Sequence, residues 1–162
     1  MVKKLHIVSF DVPYPANYGG VIDVFYKLKA LHSLGIEIYF HVFEYGRGEQ
    51  KELNKYCKEV FYYPRNSFIK SFFSVDPFIV KTRANEDLIK NINKYDFPIL
   101  FEGLHTTIPI QLEKLNGQKT YVRAHNIEHN FYKGLAKSES NVFKRNFFKQ
   151  EAEKLKRYEK IL

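Results

Sequence analysis

Between Leu5 and Phe43 the sequence spells out a unit that few folds can accommodate. Leu5 to Phe10 is a short apolar run, closed by Asp11-Val12-Pro13-Tyr14-Pro15, which reads as a buried strand leaving the core into a loop. Asn17-Tyr18-Gly19-Gly20 follows, and then Val21, Val24, Phe25, Leu28, Leu31 and Leu34 recur at three and four positions along one helical face. Gly35 ends that pattern where a C-terminal glycine belongs, and Ile36 to Phe43 is a second strand. Strand, glycine loop, helix, glycine and strand within roughly 40 residues make a βαβ unit. Its crossover is almost always right-handed, so the two strands must lie parallel in one sheet.

The alternation continues. Tyr45-Gly46-Arg47-Gly48 is a turn, Glu49 to Cys57 a short polar helix, and Val60 to Tyr63 a third strand ended by Pro64. Ser67 to Val80 is irregular and aromatic, and Pro77 is expected to start a helix running through Leu88 and Ile92 to Tyr95. Pro98 to Glu102 is a fourth strand, Thr106 to Leu115 a helix stopped by Asn116-Gly117, and Lys119 to Ala124 a fifth strand. Two helical stretches close the sequence, Ile127 to Glu139 and Asn141 to Leu162. The expected fold is α/β: a three-layer, Rossmann-like, doubly wound parallel sheet of five or more strands in the order 3-2-1-4-5. In such sheets ligands bind beyond the carboxyl ends of the strands, at the switch point between strands 1 and 4.

At 162 residues the length suits a single domain with a real core. Cys57 is the one cysteine, which excludes an intrachain disulfide, and the six-residue apolar run near the N-terminus is too short for a signal peptide. No apolar stretch approaches the roughly 20 residues that span a bilayer. The expected setting is cytoplasmic, soluble or peripheral at the inner face of the membrane. With 26 Lys and Arg against 18 Asp and Glu, the formal charge is +8, which favours anionic partners or simply a lysine-rich solvated surface. A basic nucleic-acid-binding domain is one alternative. Its basic residues are dispersed and no recognition motif accompanies them, so nucleic acid is not an expected partner.

The topology gathers chemistry at one edge. The loops after Phe10, Phe43, Tyr63, Phe101 and Ala124 hold Asn17, Tyr18, Gly19, Gly20, Glu102, Gly103, His105, Arg123, His125, Asn126, Glu128 and His129. Gly19-Gly20 at a helix start admits close backbone approach to an anion, or else serves a tight turn of positive φ. The loop is not GxGxxG and no Gly-Lys-Ser/Thr phosphate loop occurs, so NAD or ATP binding is not implied and no cofactor is expected. His125-Asn126-Ile127-Glu128-His129 matches H-x-x-E-H literally, which opens a zinc-hydrolase alternative on His125, Glu128 and His129. That chemistry needs both histidines on one helix, whereas His125 falls at a strand end, so no metal is expected. Asn126 reads as the cap of the following helix. Glu102 and His105 form a loosely spaced acid/base pair, and His6, His32 and His41 read as structural.

Three segments together resemble the N-terminal half of a GT-B glycosyltransferase of the retaining, family 4-like type that builds bacterial surface polysaccharides. They are Pro13 to Gly20, Phe101 to His105, and Val122 to Tyr132, supported by the long basic helix ending Lys154-Leu155-Lys156-Arg157-Tyr158-Glu159. The resemblance covers essentially the whole chain in order. It implies two Rossmann-like domains facing across a cleft, with the C-terminal one gripping a nucleotide-sugar donor and this one binding a glycan or lipid-linked acceptor. It implies that Gly19 and Gly20 approach the donor diphosphate and sugar, and that His125 is the catalytic-site residue touching the donor sugar near its reacting carbon. Asn17, Tyr18, Glu102, His105, Arg123 and Asn126 are the accompanying donor- or acceptor-binding residues.

The second domain of that family is absent from residues 1–162, and the abrupt apolar end at Ile161-Leu162 suggests a fragment. Alone, such a fragment is expected to be inactive. The aromatic, basic segment 67–80, with Phe68, Lys70, Phe72 and Phe73, is either a membrane-surface contact for a lipid-linked acceptor or a packing element.

Overall fold

A computed structural model describes residues 2–67, 71–72 and 74–162. Five parallel strands, β1 (Lys4–Ser9), β2 (Glu37–Glu44), β3 (Glu59–Pro64), β4 (Ile99–Glu102) and β5 (Thr120–Arg123), form one sheet in the order β3-β2-β1-β4-β5. This is the expected order, and it places the switch point between β1 and β4. In register, Ile7 of β1 faces Phe40 of β2 on one side and Leu100 of β4 on the other.

Side chains alternate across the sheet, and the two faces differ in kind. One face presents Ile7, Ile38, Phe40 and Val42 to Val24, Phe25 and Leu28 of α1 (Gly19–Ser33), a core of aliphatic side chains and phenylalanines closed by Leu53 and Cys57. Gly35, with φ 73°, ends α1 in the left-handed conformation. The other face presents Val8, Phe43, Tyr63, Ile99 and Phe101 to Leu88 and Ile92 of a short helix. His6 and His41, both fully buried, project from this face among Tyr39, Phe61, Tyr95 and Phe97.

Between β3 and β4 the expected single helix is two helices. α2 (Phe78–Lys81) lasts one turn, and α3 (Glu86–Ile92) restarts from Asn85, whose side chain accepts the Leu88 amide at 3.0 Å. A genuine N-cap has interrupted an apolar pattern that reads as continuous. The expected helix from Thr106 to Leu115 likewise reduces to a 3₁₀ turn at Leu104–Thr106 and the single turn α4 (Ile108–Gln111).

The closing helices α5 (Glu128–Ser138) and α6 (Val142–Tyr158) fold back on each other. Asn141 caps α6 by accepting from Phe143 and Lys144. Buried Leu155 and Tyr158 of α6 pack with Ile79, Val80, Leu104 and Ile108. Buried Glu151 receives the Phe78 amide at 2.6 Å, which fixes α6 to the start of α2. Phe72 and Phe78 both pack on Phe147 of α6, so this much of the aromatic segment is a packing element. Phe68, Lys70 and Phe73 lie outside the described residues. Among the described residues no helix is long and apolar enough to cross a membrane.

Candidate functional site

The site forms where β1, β4 and β5 end. Phe10, one residue past β1, is its centrepiece. Its ring lies 5.4 Å from that of His105 and meets the His125 ring edge-on at 5.8 Å. A Cβ on Gly20 would sit 2.7 Å from the tip of the Phe10 ring, so glycine is required there by the ring. Neither Gly19 nor Gly20 has positive φ, which removes the tight-turn reading, and the space around Gly19 is open. Gly103, at φ 77°, is where conformational freedom matters. It turns the chain sharply after β4, with His105 Nδ1 3.0 Å and the His125 ring 3.6 Å from where a Cβ would stand.

Glu102 ends β4 fully buried. Lys27, reaching across from α1, bonds its Oε1, and Lys27 also contacts Asp23 at 3.3 Å. Arg123 at the end of β5 pairs with the same Asp23 oxygen at 2.7 Å. His125 Nε2 stands 3.3 Å from Glu102 Oε2. That approach is not aligned as a hydrogen bond, and neither atom has any other partner among the described residues. A small ring rotation would close the pair. Burial raises the desolvation cost of Asp23 ionisation, but Lys27 and Arg123 outweigh it and hold the carboxyl below its usual range. Asp23, Glu102 and His125 bring ligand atoms within 4.8 Å of one another. The two carboxylates are already neutralised by Lys27 and Arg123, which a cation would have to displace.

The H-x-x-E-H cluster does not assemble. Glu128 and His129 open α5, and His129 bonds Glu159 of α6 through its ring Nδ1 and through its backbone amide at 3.1 Å. Glu128 is buried, and desolvation together with Glu159 pushes its carboxyl upward. His125 lies on the other side of the turn with Glu102, so the zinc-hydrolase alternative lacks its ligand set. Asn126 is not the helix cap. Ile127 holds that position without a side-chain bond, and Asn126 is exposed in the preceding bend.

Asn17 and Tyr18 belong to a stapled loop. Asn17 Oδ1 accepts two bonds from Arg47 at 3.1 Å, and the Tyr18 hydroxyl donates to Asp11 at 2.6 Å beneath the Arg47 guanidinium. Burial and the Asp11 bond push the Tyr18 hydroxyl up to about 12. His105 is driven down to about 3, first by burial and then by the charges of Arg83 and Arg65.

The expected site residues thus divide. Glu102, His105, His125, Gly20 and Arg123 come together around Phe10 and Lys27, whereas Asn17 is held by Arg47 from the loop after β2, Tyr18 by Asp11 of its own loop, and Asn126 bonds nothing among the described residues. Sequence reading missed Phe10, Asp23, Lys27, Arg47 and Arg83. Arg47 alone carried a signal, an arginine between two glycines at the carboxyl end of β2. A groove of about 970 Å³ runs along the outer edge of β3 beside Tyr63 and Asn91, away from this site.

Over 154 residues, 91% of its length, the chain is 32% identical to an uncharacterized 44.6 kDa protein in the cps region of Klebsiella pneumoniae. It spans 39% of that relative's length. No family model and no solved structure matches it.

Proposed function

We propose that this chain is the N-terminal, acceptor-side domain of a retaining GT-B glycosyltransferase. The intact protein would move a sugar from a nucleotide-sugar to a glycan or lipid-linked acceptor in surface polysaccharide synthesis. The observation that carries the reading is the buried Glu102 carboxylate aimed at His125 at the sheet's switch point. The cps-region relative, of which this chain matches only 39%, supports both a polysaccharide role and a second half.

The geometry suggests how His125 serves transfer. Lys27 fixes one Glu102 oxygen, leaving the other for His125 Nε2. An imidazole that donates from Nε2 keeps its Nδ1 lone pair free to accept from a sugar hydroxyl, and the buried carboxylate sets that tautomer. Glu102 is thus a positioning residue and His125 the group that meets substrate. Stabilising charge in the transition state requires both walls of a cleft, so this half alone should not turn over. A peripheral membrane contact through residues 67–80 belongs to the same reading, and vesicle co-sedimentation indifferent to anionic lipid would remove it.

The test is sugar transfer by the full-length protein, with and without His125→Ala, set beside residues 1–162 alone. Loss in the variant and silence in the fragment are expected. Robust nucleotide-sugar turnover by the fragment would sink the proposal.

A further inference from the structure

Beyond the His125 pair, the carboxyl edge carries two arginines, Arg65 and Arg83, that form no ion pair among the described residues. Asn66, just past β3, donates its amide to Thr82 O at 2.7 Å, and its side chain bonds Lys81 O and Ala84 O at 3.2 and 2.8 Å. These bonds stitch the segment bearing Arg65 to the end of α2 bearing Arg83. The Arg65 and Arg83 backbones are thereby held on adjoining loops, close enough for the Arg65 charge to act on Arg83.

Arg83 is only 4% exposed. Its Nε donates to Phe10 O at 3.0 Å, and its Nη1 donates to Ile79 O at 2.8 Å and approaches Thr82 Oγ1 at 3.4 Å. Its Nη2 bonds nothing among the described residues, yet it is not among the atoms sealed from solvent. Arg65 lies over the Tyr45 ring at 4.6 Å, half-buried, with no hydrogen bond or ion pair to any described residue. The acidic group that acts on Arg83 most strongly is Asp11, which keeps its charge but makes no ion pair with it: one oxygen takes the Val12 amide and the other the Tyr18 hydroxyl. Tyr132 of α5 lies within electrostatic reach of the same two arginines, as well as of Glu151 and Glu128, and its hydroxyl bonds nothing among the described residues.

A folded chain rarely buries an arginine beside a second one without a carboxylate, because like charges in a desolvated setting repel. Burial and the Arg65 charge accordingly pull Arg83 down to about 9. A dianion would relieve both at once, and guanidinium groups match phosphate oxygens in bidentate geometry.

We infer that Arg65 and the free Nη2 of Arg83, flanked by Tyr132, form a phosphate- or diphosphate-binding subsite beside His105 and Phe10. The subsite stands on this geometry. That its phosphate belongs to a substrate of glycosyl transfer, whether the diphosphate of a lipid-linked acceptor or that of the nucleotide donor, rests on the proposed function.

The test is calorimetric titration of the full-length protein with inorganic pyrophosphate, comparing parent with Arg65→Gln and Arg83→Lys. Arg65 makes no hydrogen bond or ion pair among the described residues and only lies over the exposed Tyr45 ring, so Arg65→Gln should stay close to the parent's melting temperature while binding pyrophosphate roughly tenfold more weakly. Arg83→Lys retains charge but loses the fork, and should weaken binding as well. No binding by the parent, or equal affinity in parent and Arg65→Gln, would overturn the subsite. Repeating the titration with uridine diphosphate and with a short-chain prenyl diphosphate identifies the source by which ligand loses affinity in Arg65→Gln; loss with neither overturns the subsite too. Pyrophosphate binding through Arg65 in a full-length protein that transfers no sugar would refute the glycosyltransferase reading and leave the subsite intact.

Discussion

Two histidine networks hang from adjacent strands of one sheet, and they solve opposite problems. On the aromatic face, His6 and His41 share a 2.9 Å hydrogen bond, His41 reaches the Tyr63 hydroxyl at 2.9 Å, and Asn91 donates to that hydroxyl at 3.0 Å. Every partner is neutral. Burial drives His6 down to about 4 and His41 well below its ordinary value, so both remain uncharged at neutral pH. At the carboxyl edge, His125 faces a buried carboxylate already engaged by a lysine, and the closest pair of polar atoms is left unjoined. The neutral row, which leaves His6 Nε2 unpartnered among the described residues, contributes to stability, and a charged, incompletely joined one is available to a ligand. Position along the strands decides which is which.

Breaking each network should therefore cost different things. Glu102→Gln keeps the shape of the side chain but removes the charge that orders His125. If the full-length protein transfers sugar as proposed, its rate should fall on the order of 100-fold or more while the chain stays folded. Because Glu102 works through His125, the loss should appear in kcat and in the pH profile more than in KM. An unaltered kcat would erase the distinction between the networks.

His41→Leu should do the reverse. It leaves His6 Nδ1 without its donor or acceptor and takes one bond from Tyr63, both in a dry interior. Unfolding free energy should drop by about 2 to 4 kcal/mol in denaturant titration, with activity per folded molecule unchanged.

The two glycines at the edge offer a sharper probe. Gly20→Ala would place a Cβ against the tip of the Phe10 ring, which also packs on the His105 and His125 rings. Overpacking should cost about 1 to 3 kcal/mol, and unlike His41→Leu it should also lower activity, because the displaced ring bears on the site.

How far the sequence foretold this contrast depends on range. The strand order and switch point were legible, since each strand is a short apolar run with its own stop signal and the βαβ rule fixes direction. Convergence of Glu102, His105 and His125 followed from that topology. Their pairing did not follow, because Lys27 joins Glu102 across 75 positions and His129 joins Glu159 across 30. The break at Asn85 was hidden by apolar residues that keep helical spacing on both sides of it. Arg83 carried no signal, because nothing local announces that Phe10 O and Ile79 O will enclose it. Asn126 had the chemistry of a cap, but the helix began one residue later than such a cap requires.

Acid should separate the networks as well. His6, His41 and His105 have folded-state values depressed below the ordinary 6.5, so the unfolded chain binds more protons as pH falls below that point. Their contribution to stability is complete above pH 6.5 and is lost progressively toward pH 4, at about 1 kcal/mol per pH unit for each group. Melting temperature followed from pH 7 to pH 4 should decline, and His41→Leu should flatten the decline. A parallel decline in the variant would mean that His41 is not among the groups that set it.

The smallest effect belongs to Arg123. Its pair with Asp23 is short at 2.7 Å, but the side chain is 44% exposed, and half-exposed pairs contribute little. Arg123→Gln should change unfolding free energy by less than about 1 kcal/mol. Lys27 keeps both carboxylates company, so the Glu102–His125 approach should survive. If Arg123 binds donor or acceptor, the variant will raise KM and leave kcat and its pH profile in place. A loss in kcat comparable to that of Glu102→Gln would show instead that the outer ion pair and the inner one act as a unit, and the boundary between the charged rim and the His125 pair would have to be drawn further out.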